Sequence, residues 1–403
     1  MSVHELALQR AKYKHLSDEE WRWFLQQVEG RERTADKLPT FAAIDDWWYP
    51  VRLSCEQCSS ELTARYKAQI VNGKCPNGKC LDLTAGYGVD TYFLSEQFAH
   101  TDYVEQNPEL CRIAEHNFSL PTPTLPKGKG IYVHNTTAEE FLTSLPFREG
   151  SGLGFFDLIF ADPARRDSHG GKVFRLEDCS PNIVELLPSL LSHLTPNGRL
   201  MLKLSPMLDI TQAVKALSPF TAHHSPLTWD IHVVAVKNEV KEVLLLSGGN
   251  GTITAIDLTE PEKAFLFTRE EESLSAKRSV SETVCTLSAA GGLYLYEPSA
   301  SILKAGAYKL VAQRFGLHKL DVNTHLYASD TRIENFPGRV WKCLSKIENQ
   351  KSKIENANVL VRNYPLTPEQ LKKKLRVKDG GDLYIIGCRV AGKPTLFLAE
   401  RTT

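Results

Sequence analysis

The chain has 403 residues, and its 48 Lys and Arg residues balance 48 Asp and Glu residues, so the formal net charge is zero. The length favours two or three domains, and 42% hydrophobic with 24% charged residues is typical of a globular protein. This composition excludes a disordered chain, a collagen-like repeat and a pure coiled coil. The sequence contains no run of about 18 apolar residues, so no membrane helix is predicted.

The beginning of the chain is charged and has no apolar core, so we expect no secretory signal. Nine scattered cysteines do not resemble a disulfide framework. These features predict a cytoplasmic protein with neither a membrane nor a metal partner, and they are compatible with a monomer.

Residues 1–70 are predicted to form a helical region. Ser17 followed by Glu20 is typical of a capped helix start, and apolar residues then recur at helical spacing. A second helix is predicted over residues 54–71.

From residue 80 onward, short apolar strands alternate with helices. Five strands are predicted, at 80–84, 102–105, 131–134, 155–161 and 200–204. Segments 231–236 and 240–246 then form a hairpin that supplies an antiparallel edge strand. Together these elements predict an α/β fold with a Rossmann-like, doubly wound sheet of seven strands.

The remainder is predicted to be a polar connection over residues 250–290, then a smaller α+β part with a helix over 301–315. Charge divides unevenly, because residues 301–403 hold 19 basic against 9 acidic side chains and residues 1–300 hold 29 against 39. The zero net charge is therefore a sum of unlike parts. A basic segment favours a nucleic-acid or anionic partner, with a solvated surface as the alternative.

The polar residues of interest follow the carboxyl ends of the predicted strands, where an open parallel sheet binds ligands. Glycines at 86 and 88 let backbone approach a ligand. Glu105 lies 19 residues beyond Gly86, where an acidic side chain can accept hydrogen bonds from both ribose hydroxyls. The residues predicted to hold a cofactor are Asp82, Thr84, Gly86, Gly88, Asp90, Glu105, Asn135, Thr136 and Asp162.

The pattern discriminates among cofactors. The third glycine of the dinucleotide fingerprint is absent, no GxxxxGK[ST] motif occurs, and a carboxylate at Asp82 repels a pyrophosphate. A ligand that combines adenosine with an amino-acid cation satisfies Asp82 and Glu105 together, which describes S-adenosylmethionine. A sheet that binds no ligand and keeps these residues for turn geometry is the alternative.

Residues 80–250 resemble a class I S-adenosylmethionine-dependent methyltransferase, and the whole chain resembles a bacterial family in which this domain carries a THUMP-like carboxyl-terminal domain. The resemblance rests on stretches that include LDLTAGYGVD (81–90), FADPARRD (160–167), YEPSASILKAG (296–306) and VRNYPLTPEQLKKKL (361–375). It implies a helical region (1–70), a methyltransferase domain (71–275), a ferredoxin-like segment (276–322) and a THUMP-like domain (323–403). THUMP-type domains imply an RNA substrate such as tRNA or rRNA.

The fourth predicted strand is followed by Asp162, Pro163, Ala164 and Arg165. Amino-methyltransferases that act on bases carry Asp or Asn, Pro, Pro and an aromatic residue there. The resemblance implies that Asp162 and Pro163 meet a base amine, while the planar Arg165 stacks a base or grips a phosphate. Because the second proline and the aromatic residue are replaced, a catalytically silent RNA-binding protein and a protein or small-molecule methyltransferase remain alternatives.

The cysteine positions disfavour both a catalytic thiol and a zinc site. C5 methylation of a pyrimidine would need a nucleophilic thiol, and Cys179, 17 residues beyond Asp162, is better explained by packing. The four cysteines between residues 55 and 80 only superficially resemble a zinc site, since the second pair has the wrong spacing. No metal is predicted.

Basic residues in two places are predicted to contact RNA. The loop 164–178 is long enough to be a lid that binds substrate phosphate, and a basic helix follows Pro368. A solvated surface is the alternative in both places. The predicted RNA-binding residues are Arg166, Lys172, Arg175, Arg362, Lys372, Lys373, Lys374 and Arg376. Lys203, at the fifth strand end, either supports the pocket or faces the surface.

Overall fold

A computed structural model describes residues 3–71, 77–120, 130–145, 155–164, 175–222, 225–275, 292–347 and 354–402. The chain divides into two compact units. The first comprises Met1–Asp230 with Val243–Asn250, and the second comprises Ile231–Glu242 with Gly251–Thr403.

The chain starts with helices, as predicted. They are α1 (Val3–Ala7), α2 (Asp18–Thr34), α3 (Pro39–Ala42), α4 (Arg52–Gln57) and α5 (Glu61–Ile70), with a 3₁₀ turn at Arg10–Tyr13. The predicted cap is confirmed, because the Ser17 hydroxyl accepts from the Glu20 amide at 3.2 Å and the Ser17 amide donates to the Glu20 carboxylate at 2.7 Å. The single helix predicted over residues 54–71 is wrong. The chain is extended at Cys58, and Ser60 caps a new helix through the Thr63 amide.

The first unit contains a parallel sheet with helices between its strands. Its strands are β1 (Lys79–Asp82), β2 (His100–Glu105), β3 (Gly130–Asn135), β4 (Phe156–Ala161) and β5 (Leu194–Leu204). The helices are α6 (Val89–Ser95), α7 (Pro108–Ser119), α8 (Ala138–Ser144), α9 (Ile183–Ser192) and α10 (Ile210–Leu217). Strand β1 pairs in parallel with both β2 and β4, so the strand order reverses there. A ligand crevice is expected beyond the carboxyl ends of these two strands.

The predicted hairpin is confirmed as β8 (Trp229–Val236) and β9 (Glu239–Ser247). Its two turn residues, Lys237 and Asn238, both have positive φ (53° and 61°), which matches the twist of a tight hairpin. Strand β9 runs antiparallel to β5. A separate two-stranded ribbon is formed by β6 (Thr221–Ala222) and β7 (Ser225–Pro226).

The seven predicted strands are all present, and the sheet that contains them is larger than predicted. Among the described residues nine strands are joined in the order β11-β10-β8-β9-β5-β4-β1-β2-β3. The two additional strands, β10 (Thr252–Asp257) and β11 (Phe265–Thr268), lie in the segment 250–290, for which the sequence predicts only a polar connection. Strand β11 reads FLFT and shows no alternation of apolar and polar residues, and it, rather than the hairpin, is the antiparallel edge strand.

A second sheet lies in the second unit. It has seven strands, in the order β13-β14-β12-β15-β18-β17-β16. Its strands are β12 (Leu293–Pro298), β13 (His318–Asp321), β14 (Thr324–Ser329), β15 (Gly338–Lys346), β16 (Asn358–Arg362), β17 (Leu383–Val390) and β18 (Lys393–Arg401). The unit's helices are α11 (Arg269–Leu274), α12 (Ala300–Ala305), α13 (Tyr308–Arg314) and α14 (Pro368–Leu375). The helix predicted over 301–315 is divided, because Gly306 takes a left-handed φ of 84° and ends α12.

Each unit has its own apolar core. In the first, one cluster joins the N-terminal segment (Leu38, Phe41 and Trp47) to the sheet's first helix (Tyr92 and Phe93). In the second, a cluster that includes Trp341 and Phe397 fills one face of the sheet. No helix in the described residues is long and apolar enough to cross a membrane.

Candidate active site

The turn between β1 and α6 provides an open cradle. Gly86 has φ +56°, and a Cβ built on it meets no atom within 4 Å. The backbone here therefore borders open space that a ligand can occupy. Gly88 has φ +82° and serves a different purpose, because a Cβ there would lie 2.7 Å from the Phe118 ring. Both glycines are conformationally required, but only Gly86 faces open space.

Asp82 supports this turn from inside. Its side chain is fully buried, and it accepts hydrogen bonds from the Thr91 hydroxyl (2.6 Å) and the Thr84 amide (3.2 Å). Burial raises the pKa of Asp82 to about 7, against the lowering effect of the Thr91 hydrogen bond. Near neutral pH this carboxyl is therefore poised between its two protonation states, and a cation nearby would favour the ionised one.

Glu105, at the end of β2, borders the same cradle. One carboxylate oxygen accepts from the Gly86 amide at 3.0 Å and the other from the Asn107 amide at 2.8 Å. The side chain is partly exposed. A carboxylate has about four lone-pair sites, so two amide contacts leave capacity for hydroxyl donors such as those of a ribose.

Asn135 ends β3 at the same edge of the sheet, and Thr136 follows it. The Asn135 amide donates to the backbone carbonyls of Glu105 (3.0 Å) and Gln106 (3.1 Å). The Thr136 hydroxyl donates to Glu140 in the first turn of α8 at 2.9 Å. Both side chains thus brace the loops around Glu105.

Asp162 follows β4 and lies next to the glycine turn. Its amide donates to the Thr84 hydroxyl at 2.6 Å, and its carboxylate, 37% exposed, accepts from Lys203 Nζ at 2.5 Å. Pro163 is buried behind it. The structure therefore brings the end of β4, the end of β5 and the cradle together, and it places Lys203 in the pocket rather than on the surface.

The loop after Asp162 is only partly described. Arg165, Arg166 and Lys172 lie outside the described residues. The base of the loop is closed by Ala164 and Ser180, whose backbones exchange hydrogen bonds of 2.8 and 2.9 Å. The exit of the loop borders a pocket of about 480 Å³ whose lining includes Arg175, Gln212 and Lys215.

Asp90 belongs to a buried group of charges. It accepts a hydrogen bond from the Ser59 hydroxyl at 2.7 Å and pairs with Lys67 at 3.2 Å. Ser59 and Lys67 are not among the site residues predicted from the sequence. A signal was present, because Lys67 shares the face of α5 that holds Ala64 and Ala68, and a lysine on a buried face needs an acidic partner.

Aromatic residues close the other side of the glycine turn. The Trp47 indole donates to the Tyr87 hydroxyl at 2.9 Å, and that hydroxyl donates to the Trp48 carbonyl at 3.2 Å. Tyr87 and Val89 belong to the same apolar cluster as Trp47. The N-terminal region is thus part of the wall around the cradle.

The described cysteines lie in apolar or backbone surroundings. Burial raises the pKa of Cys55 to about 12 and also raises that of Cys58. Cys179 is buried, with its thiol 3.5 Å from the Arg175 carbonyl. Within the part of the chain that the structure describes, no three His, Cys, Asp or Glu side chains are grouped as metal ligands. Cys75 lies outside that part.

The basic helix predicted in the second unit is α14. Thr367 caps it, Leu371 and Leu375 face the core, and Lys373 and Lys374 are exposed. Arg376, also exposed, ends the helix with φ 59°.

Two of the predicted RNA-binding residues are instead held by carboxylates. Lys372 Nζ donates to Asp379 at 2.8 Å. Arg362 donates to Glu297, a buried carboxylate that also binds Arg339. Lys373, Lys374 and Arg376 therefore form the exposed basic face of this helix.

Two family models match the second unit: a ferredoxin-like domain at residues 294–337 and a THUMP domain-like model at residues 344–401. The crystal structure of a candidate methyltransferase from Porphyromonas gingivalis W83 has 31% sequence identity. The match covers 96% of this chain and 92% of that one, with a TM-score of 0.80.

Two uncharacterized S-adenosylmethionine-dependent methyltransferases of Mycobacterium tuberculosis, from strains CDC 1551 and H37Rv, are each 20% identical over 382 residues. These matches cover 91% of this chain and 92% of each relative. Similarity along the whole chain, together with the cradle at Gly86, leads to one conclusion: the chain belongs to the S-adenosylmethionine-dependent methyltransferases that carry ferredoxin-like and THUMP-like domains, and S-adenosylmethionine is its cofactor.

Proposed function

We propose that this enzyme methylates an exocyclic amine of a base in structured RNA, such as tRNA or rRNA, in the cytoplasm. The observation that carries the proposal is the position of Asp162. Its partly exposed carboxylate adjoins the glycine turn and is held there by Thr84 and Lys203. A hydrogen-bond acceptor beside the cofactor cradle can orient an amine for in-line displacement.

The cofactor supplies an electrophilic methyl group when it is bound. We assign Glu105 to its ribose hydroxyls and the open backbone of Gly86 to close approach of the ligand. Asp82, buried beneath the turn, contributes negative charge towards the ammonium group. Thr84, Gly88, Asn135 and Thr136 shape the loops around these groups.

The residues that follow β4 are assigned to the base that accepts the methyl group. Asp162 accepts a hydrogen bond from the base amine, so that the nitrogen lone pair points towards the methyl group. Pro163 fixes the backbone at this position. Arg165 stacks on the base or binds a neighbouring phosphate.

The RNA substrate is supported by the second unit. It carries the THUMP-like match, and residues 301–403 hold a local balance of ten more basic than acidic side chains. The exposed face of α14 offers Lys373, Lys374 and Arg376 to a phosphate backbone, and Arg175 is exposed at the exit of the loop after Asp162. We also propose phosphate contacts for Arg166 and Lys172, which lie outside the described residues. We retain the predicted parts 1–70, 71–275, 276–322 and 323–403 as a proposal for how these tasks are divided.

Methyl transfer from labelled S-adenosylmethionine to total RNA of a deletion strain tests the activity. The intact enzyme should label RNA, and Asp162→Ala should lose this activity by about a hundredfold while it still binds the cofactor in calorimetry. Asp36→Asn, an exposed carboxylate in the turn after α2, is the matched control and should label RNA normally.

Two outcomes would replace the proposal. Cofactor binding without label in any RNA pool would favour a silent RNA-binding protein, for which Ala164 in place of a second proline is the motivating feature. Label that survives nuclease treatment of a lysate would favour a protein or small-molecule substrate.

The RNA contact is tested by salt dependence. Lys373→Gln/Lys374→Gln should weaken binding to the RNA pool and lower the slope of log affinity against log salt by about 0.7–0.9 per lost phosphate contact. Lys241→Gln/Lys263→Gln removes two lysines that pair with Glu239 and Glu260, and it should leave the slope unchanged.

A further inference from the structure

Four charged side chains form a chain that ends at Asp162. Lys67 Nζ lies 3.2 Å from one carboxylate oxygen of Asp90, and Lys203 Nζ lies 4.0 Å from the other. The same Lys203 Nζ lies 2.5 Å from Asp162 Oδ2. Side-chain exposure rises along this series of ion pairs. It is 0% for Lys67, 10% for Asp90, 13% for Lys203 and 37% for Asp162. A buried ion pair between α5 and α6 is thus connected to the exposed carboxylate beside the cradle.

Asp90 needs a close cation because it is buried. Burial by itself would raise the pKa of Asp90, and Lys67 and Lys203 hold it below its ordinary value. Removal of one partner from a buried ion pair costs about 3–5 kcal/mol, so an unpaired carboxylate will recruit another cation when one is within reach. The cation within reach is Lys203, which needs to move only about 1 Å to make a close pair with Asp90.

Lys203 therefore has two competing carboxylates. In the structure it binds Asp162 closely and Asp90 only at the limit of an ion pair. What keeps it on Asp162 is that Lys67 pairs with Asp90 and the Ser59 hydroxyl donates to it.

We propose that Lys67 and Asp90 are positioning residues for methyl transfer, which keep Lys203 on Asp162 Oδ2 and thereby aim Oδ1 at the acceptor amine. The proposal rests on the role proposed for Asp162. It gives Asp90 a task different from cofactor binding, and it gives the N-terminal helices a part in the reaction.

The decisive variants are Lys67→Met and the double variant Lys67→Met/Asp90→Asn. In the single variant Asp90 captures Lys203, and the maximal rate of methyl transfer to total RNA should fall by about ten- to a hundredfold, as expected for a misplacement of about 1 Å. The affinity for S-adenosylmethionine should stay within about twofold. In the double variant Asp90 no longer competes for Lys203, so most of the rate should return.

Two further variants separate positioning from a general loss of structure. Lys67→Met should add nothing to Lys203→Met, because both act through the same contact. Lys37→Met is the matched control. Its ammonium group donates to the carbonyls of Cys55 and Glu56 at 3.0 Å, and its loss should leave the rate unchanged.

A crystal structure of Lys67→Met decides the matter without any RNA substrate. Lys203 Nζ should be found on Asp90 and away from Asp162, and its persistence on Asp162 would overturn the inference. A loss of cofactor affinity in place of rate, or a double variant no faster than the single one, would overturn it too. If the intact enzyme labels no RNA, the proposed function fails, while the position of Lys203 still tests the inference.

Discussion

The buried carboxyl at Asp82 leads to a quantitative prediction about stability. Substitution by asparagine should stabilise the ligand-free protein, and increasingly so as the pH rises. Burial raises the pKa of Asp82 to about 7 from an ordinary value of 3.8. The asparagine resembles the protonated acid, because its oxygen still accepts from the Thr84 amide and its NH₂ group can donate to the Thr91 hydroxyl.

The sign follows from proton binding. Between the two pKa values the folded chain keeps a proton that the unfolded chain has released, so folding stability falls as the pH rises through this window. Below about pH 4 Asp82 does not change the free energy of unfolding, because it is protonated in both states. Above about pH 7 the loss of stability that it causes no longer changes with pH. The shift corresponds to about 3 kcal/mol of lost stability between pH 5 and pH 8 as an upper bound, at about 1.4 kcal/mol for each pKa unit.

Urea unfolding at pH 5, 6, 7 and 8 measures this difference. The free energy of unfolding of Asp82→Asn, relative to the wild-type chain, should increase with pH by an amount approaching that bound. Asp36→Asn, which changes an exposed carboxylate, should give a curve parallel to wild type. An Asp82→Asn advantage that is the same at pH 5 and pH 8, or that shrinks as the pH rises, would refute the reasoning.

Three further predictions follow from contacts described above. Gly88→Ala should lower stability by about 2 kcal/mol or more in thermal unfolding, because φ is +82° and the new Cβ would lie 2.7 Å from Phe118; a change below about 0.5 kcal/mol would contradict it. Glu105→Ala should weaken calorimetric binding of S-adenosylmethionine by about tenfold or more, and unchanged affinity would remove its assignment to the ribose. Glu297→Ala leaves two arginines without their buried carboxylate and should cost about 3 kcal/mol in urea unfolding, whereas Glu400→Ala, at an exposed pair, should cost less than about 1 kcal/mol; equal costs would show that burial of the pair is unimportant.

The sequence alone predicts the frame of the candidate site. Alternation of apolar runs with glycines and caps locates the strand ends, and these ends bring Asp82, Glu105 and Asp162 to one edge of the sheet. Prediction succeeds here because period and turn chemistry are local properties. Strands β10 and β11 are missed although they are as long as β1 and β2, because no α-helix lies between them to continue the alternation of strands and helices.

Partners that are distant along the chain are beyond such patterns. Glu297 and Arg362 are 65 residues apart, and nothing in the basic stretch around Arg362 shows that its guanidinium is already engaged. Ser59 and Asp90 are likewise hydrogen-bonded although they are 31 residues apart, and no local pattern links them. Residue type indicates that a buried charge needs a partner, but only the packed chain shows which one it has.

The contact between Trp47 and Tyr87 has a consequence for how this enzyme can be divided. A fragment that began at residue 71 would expose the apolar faces of Tyr87, Tyr92 and Phe93 to water and would leave Asp90 without Lys67. The resemblance to other methyltransferases marks residue 71 as a border, yet the core crosses it. The N-terminal helices and the sheet share one core, so a recombination or fusion joint placed between Leu38 and Phe93 should not be tolerated.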